Sequence, residues 1–138
     1  MLGKLFGLFR KSASLPVPDF VKPSEDELTD TGTGLLFQEL VPGEGDARPT
    51  ADDQVTVHYA GWLTDGTLFD SSYGRGAPAT FPLGRVIGGW TEGVQLMSVG
   101  STWRFVIPPR LGYGARGAPP SIPPQATLVF QIELLKIG

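Results

Sequence analysis

The sequence contains no cysteine, which excludes disulfides and thiolate chemistry and makes a reducing, cytoplasmic setting the expectation. It has a single histidine, His58. With no second histidine or cysteine to complete a ligand set, no metal site is expected, and spacing places no base beside the nearby Ser71 or Ser72. Positive charge is scarce too. The 11 Lys and Arg against 14 Asp and Glu leave a net charge of -3 and a pI near 5.0. There is therefore no basic stripe to neutralise phosphates, and nucleic acid is not an expected partner. No apolar run approaches the roughly 18 residues of a membrane-spanning helix, so the main body is expected to be soluble. No internal repeat shows at any period.

Turn chemistry is what the chain has in excess. Its 138 residues include 19 glycines and 13 prolines, most of them between strand-like runs rather than inside them, as in a turn-rich β fold. The length suits one domain with a real core. The expected division is a flexible N-terminal tail and linker over residues 1–30 and one folded domain over 31–138, acting as a monomer. In the tail, Met1–Lys11 sets Leu2, Leu5, Phe6 and Phe9 at helical spacing beside Lys4, Arg10 and Lys11. It reads either as a frayed terminus or as a weak amphipathic contact with a membrane or partner. Arg10-Lys11 stands where a secretory signal would need small residues. Ser12–Lys22 reads as a proline-bearing linker, and the acids from Glu25 to Asp53 as a solvated face.

The strands announce themselves by alternation. Gly34–Val41 is expected to be the first, and Gln54–Leu63 follows with Val55, Val57 and Tyr59 on one side and Thr56 and His58 on the other. Asp65-Gly66 signals a turn before extended Thr67–Asp70, a glycine-rich loop spans Ser71–Pro78, and Ala79–Leu83 is extended. Thr102–Ile107 and Thr127–Ile137 complete the set. Between Ala79–Leu83 and Thr102–Ile107 lies one good helix, expected to start at Trp90, to bury Val94, Met97 and nearby Leu96, and to end at Gly100. Arg110–Gln125, with four prolines and three glycines, must be an ordered loop or flap.

Two short motifs mislead. Asp30-Thr31-Gly32 has the letters of an aspartic-protease half-site, but it follows Glu25-Asp26-Glu27 and should be solvated rather than buried beside a twin. Gly112-Tyr113-Gly114-Ala115-Arg116-Gly117 spells a dinucleotide fingerprint, but Ala118-Pro119-Pro120 forbids the helix it would need. No cofactor is expected. The distinctive residues that remain are Tyr59, Phe69, Phe81, Trp90, Tyr113 and Phe130, drawn from separate elements. They read as core or as the wall of a pocket, with Asp70 and the tyrosines favouring the pocket.

The motifs Val57-His58-Tyr59-Ala60-Gly61, Asp65–Ser72, Val86-Ile87-Gly88-Gly89-Trp90, Leu111-Gly112-Tyr113-Gly114, and Ile122-Pro123-Pro124 with Thr127–Phe130 occur in this order. Together they resemble the FK506-binding-protein (FKBP) type of peptidyl-prolyl cis-trans isomerase, from about Gly34 to Gly138. The resemblance implies an α+β fold: a twisted antiparallel sheet of five to six strands wrapped around one short helix. It implies rotation of X-Pro bonds in protein folding, with proline-containing polypeptides as partners and FK506-like macrolides as ligands. The alternative is a binding module that keeps the pocket without turnover.

The resemblance also assigns positions. Tyr59, Phe69, Asp70, Trp90, Tyr113 and Phe130 would be the catalytic set, with Trp90 as floor and Asp70 and Tyr113 as rim. Phe81, Val86, Ile87, Ile122 and Arg75 would help bind substrate, with Arg75 pairing with Asp70, and the Ile87 N–H and Tyr113 hydroxyl donating to ligand carbonyls. Three departures stand out. Ala79 is where an aromatic wall residue is common and should widen the pocket, while Ala118 and Ser121 alter the flap.

Overall fold

The computed structural model describes residues 15–138, so the Met1–Lys11 reading lies outside the described residues. The alternating runs become the strands β1 (Thr29–Asp30), β2 (Leu36–Val41), β3 (Gln54–Leu63), β4 (Leu68–Ser71), β5 (Ala79–Pro82), β6 (Thr102–Ile107) and β7 (Leu128–Ile137). They form one antiparallel sheet in the order β1-β2-β6-β7-β3-β4. β5 shares the β4 edge of β3, pairing along Gln54–Val57 while β4 pairs along Ala60–Trp62. The count is thus seven rather than five to six. The excess comes from two-residue β1 and from an edge split between β4 and β5.

Alternation in β3 decides which face is inside. Val55, Val57 and Tyr59 enter the main core, while Trp62 and Ala60 belong to a second cluster on the opposite face. The inner face is closed by the helix α1, which spans Gly88–Val94. The helix is shorter than expected and starts two residues before Trp90. Beyond Val94 the chain continues as tight turns, with the Leu96 and Met97 N–H groups donating to Gly93 and Val94 carbonyls. Met97 is fully buried all the same, and Leu96 is only half-buried. Gly100 does not cap the helix. Its φ of 89° turns the chain back so that its N–H donates to the Leu134 carbonyl at 2.7 Å, handing the chain to the sheet.

Glycine allows the helix to lie close. A Cβ on Gly89 would come within 2.7 Å of Ile107, and one on Gly93 within 2.6 Å of the Phe105 ring. α1 therefore rests directly on β6. A second tie is polar: the Glu92 carboxylate accepts hydrogen bonds from Thr31 at 2.6 Å and Thr33 at 2.7 Å.

The outer face is not bare. Leu15 donates its N–H to the Tyr73 carbonyl at 2.7 Å, the Phe20 ring packs 5.8 Å from Trp62, and Pro23 is buried. Val17 and Phe20 lie against the cluster of Ala60, Trp62 and Val129. Residues expected to be a flexible linker thus strap the sheet. Ordered packing begins well before the boundary placed at residue 31, because proline-flanked apolar side chains find a receptive sheet face.

Candidate functional site

Where sheet and helix part, a cavity of about 360 Å³ opens to solvent. It is lined by Tyr59, Phe69, Asp70, Phe81, Arg85, Val86, Ile87, Trp90, Tyr113 and Phe130. Trp90 enters from α1 and is 4% exposed. Around its indole stand Tyr59, Phe81 and Phe130, with ring centroids at 5.1, 5.5 and 5.4 Å and interplanar angles of 84°, 87° and 88°. These are edge-to-face contacts, the geometry favoured by aromatic quadrupoles. Phe69 meets Phe130 in the same way at 5.4 Å. The result is an aromatic box built on one buried tryptophan.

Local irregularities in the sheet make room for this box. Gly61 pairs with Phe130 on one side and Asp70 on the other, and a Cβ there would meet the Phe130 ring at 2.6 Å and the Phe69 ring at 2.7 Å. A register shift follows, since Trp62 pairs with Leu68 and leaves Phe69 as the unpaired residue of a bulge. Strict alternation would send Phe69 and Asp70 to opposite faces. The bulge lets both reach the cavity.

The rim is a connected polar cluster. Asp70 accepts from the Tyr59 hydroxyl at 2.7 Å, from the Arg75 guanidinium at 3.0 Å and from the Ser71 N–H at 2.9 Å. Arg75 also donates to the Tyr59 hydroxyl at 2.8 Å. Burial first, and then the hydrogen bond to Asp70, push the Tyr59 phenol up to about 12. Tyr59 therefore stays a neutral donor. Tyr113 reaches the rim from the flap and remains 40% exposed. Ile87 and Tyr113 both line the cavity, and neither the Ile87 N–H nor the Tyr113 hydroxyl has an acceptor among the described residues. Thr91 ties this turn to the helix: its hydroxyl donates to the Leu83 carbonyl at 2.8 Å, and its N–H donates to the Ile87 carbonyl at 3.1 Å.

Most of the expected site residues therefore converge on one cavity. Arg75 stands just behind the wall and acts on it through Asp70 and Tyr59. Ile122 does not reach the cavity. The bridge between Ala118 and Ile122 folds the flap so that Ile122 turns inward, 4% exposed in the main core. Ala79 is not in the lining either; it pairs with Val57 and packs against the core, so widening through this residue is not seen.

A serine and a base do meet, contrary to expectation, since His58 Nδ1 lies 2.8 Å from Ser72 Oγ. This hydroxyl is fully buried, accepts the Tyr59 N–H at 2.8 Å and donates to the Tyr59 carbonyl at 3.3 Å. It is a knot that fixes Tyr59 and offers no accessible nucleophile. Residue reasoning missed Arg85 and Gly61. The signal for Arg85 was its place directly before Val86-Ile87, and for Gly61 its place two residues after Tyr59 on the inward face.

Comparison with known proteins points the same way as the geometry. The family model described as FKBP-type peptidyl-prolyl cis-trans isomerase matches residues 45–135. An FKBP-type 22 kDa peptidyl-prolyl cis-trans isomerase of Escherichia coli is 53% identical over 113 residues, covering 82% of this chain and 54% of the relative. FK506-binding protein 1A of Emericella nidulans is 50% identical over 109 residues, covering 76% of this chain and 99% of the relative. The crystal structure of a peptidyl-prolyl cis-trans isomerase from Pseudomonas syringae superposes with a TM-score of 0.77 at 42% identity, covering 83% of this chain and 84% of that one. The chain spans about half the length of several curated relatives it matches, 54% and 41% of two of them.

Proposed function

The chain belongs to the FKBP-type peptidyl-prolyl cis-trans isomerase family, and from that premise we propose that its aromatic box accelerates rotation about X-Pro bonds in polypeptides. The observation that carries this reading is the box itself: a buried indole floor, three perpendicular rings and, among the lining residues, two donors without a partner. A proline ring is compact, apolar and of a size to sit on the Trp90 floor.

The chemistry needs no bond made or broken. An amide resists rotation by about 18–20 kcal/mol because planar resonance must be lost, and a free X-Pro bond takes tens to hundreds of seconds to turn. The planar form is the more charge-separated and the better served by water. A dry aromatic site therefore disfavours it relative to the twisted form. The Ile87 N–H and the Tyr113 hydroxyl hold flanking carbonyls, so one side of the bond is fixed while the other turns. Asp70, fully engaged by Tyr59, Arg75 and Ser71, organises the rim and transfers no proton.

The same box is expected to take the proline-like ring of an FK506-like macrolide. Turnover of an X-Pro peptide, measured alongside titration with such a macrolide, tests the proposal. Acceleration suppressed by the macrolide is expected. Macrolide binding without acceleration would select a binding module instead.

A further inference from the structure

Two charged side chains line the cavity, Asp70 and Arg85. Their circumstances are opposite. Asp70 has three donors, one of them the Arg75 guanidinium, so its charge is balanced by a partner at the rim. Arg85 ends the turn Leu83–Arg85, is exposed, and has no hydrogen bond or ion pair to any described residue. The single ion pair among the described residues is Arg75 with Asp70. The cavity mouth therefore carries an unmatched positive charge on a chain whose net charge is -3.

We propose that Arg85 is a specificity residue: it selects proline-containing peptides that carry a carboxylate on a residue flanking the proline. This rests on the isomerase reading of the same cavity. The backbone makes the placement direct, because Arg85 immediately precedes Val86 and Ile87, and the turn that bears it is tied down by Thr91. A proline seated over Trp90 leaves its neighbours at the mouth, where Arg85 stands. The floor and walls are apolar and indifferent to those neighbours' charge. The Asp70–Arg75 pair at the rim balances its own charge, so Arg85 is the unpaired charge that discriminates, and its exposed guanidinium is pre-shaped for a carboxylate.

An exposed ion pair has modest worth, so about a two- to fivefold preference is expected. It should fade as salt rises toward 1 M, where the screening length falls to about 3 Å.

The test uses two peptide series, one varying the residue before proline and one the residue after it, each with Glu, Gln and Lys. Exchange NMR gives kcat/KM, and calorimetry gives Kd. Wild type should prefer Glu over Lys in at least one series, Arg85→Gln should bring that ratio to one, Arg85→Glu should invert it, and Arg85→Lys should restore it in part. Equal values for Glu and Lys in both series, or a preference unchanged in Arg85→Glu, overturn the inference. Because the readout is a ratio, general loss of activity in a variant does not mimic it. Absence of wild-type turnover on every peptide defeats the isomerase reading instead, and the Kd ratios still decide the role of Arg85.

Discussion

Tyr59 is the residue on which the site's polar and apolar halves meet. Its ring is one wall of the box, 5.1 Å from Trp90, while its hydroxyl donates to Asp70 and accepts from Arg75. Its phenol moves from 10.0 to about 12 in the folded chain, which has a testable sign. Below pH 10 both folded and unfolded chains hold the proton. Between pH 10 and about 12 the unfolded chain releases a proton that the folded chain keeps, so this contribution to stability is lost as pH rises through that window. Urea midpoints measured from pH 9 to 12 should fall less steeply in Tyr59→Phe than in wild type. Some slope should remain, because burial raises Tyr73 and Tyr113 in the same direction. Identical slopes would contradict the buried, Asp70-bound hydroxyl.

At the scale of elements, β3 and its neighbours build the box by what they omit. Gly61→Ala would drive a methyl into Phe130 and Phe69, and overpacking of this kind costs about 1–3 kcal/mol. The strain falls on two pocket walls, so kcat/KM should drop by about tenfold or more while circular dichroism still reports a folded β protein. Turnover at the wild-type level would refute the tight fit. These details were only partly legible beforehand. The inward face of β3 followed from its alternation, because period two is local. The Phe69 bulge did not, since it depends on how β4 registers against β3. The helix was read too long for a related reason: Met97 is buried by a turn beyond Val94, and its spacing imitates a helical face. Ile122 was misplaced because only the flap's closure on Ala118 turns it inward.

For the whole molecule, the helix and core cover one face of the sheet, and the strap from Leu15 covers part of the other. The strap touches the turn Tyr73–Arg75, whose Arg75 braces the rim. Phe20→Ala removes a half-buried ring from Trp62 and should cost about 1–2 kcal/mol in chemical denaturation; an unchanged midpoint would mean that the strap adds nothing to stability. Nothing local in the sequence marks Phe20, whose partners Trp62 and Gly66 are distant in the chain. The site was more legible than the strap, because its aromatics sit in several spaced motifs that occur in one order. Arg85 escaped notice since a lone arginine has no periodicity, and its one signal was its place directly before Val86-Ile87. Whether a proline ring seated on Trp90 is turned there is decided by the cis-trans exchange rate of an X-Pro peptide with wild type and with Trp90→Ala, each first checked for folding. The expected result is clear acceleration by wild type and a loss of at least about tenfold in kcat/KM, or 1.4 kcal/mol of transition-state stabilisation, in the folded variant. Equal acceleration by both proteins would rule out Trp90 as the platform for the turning proline.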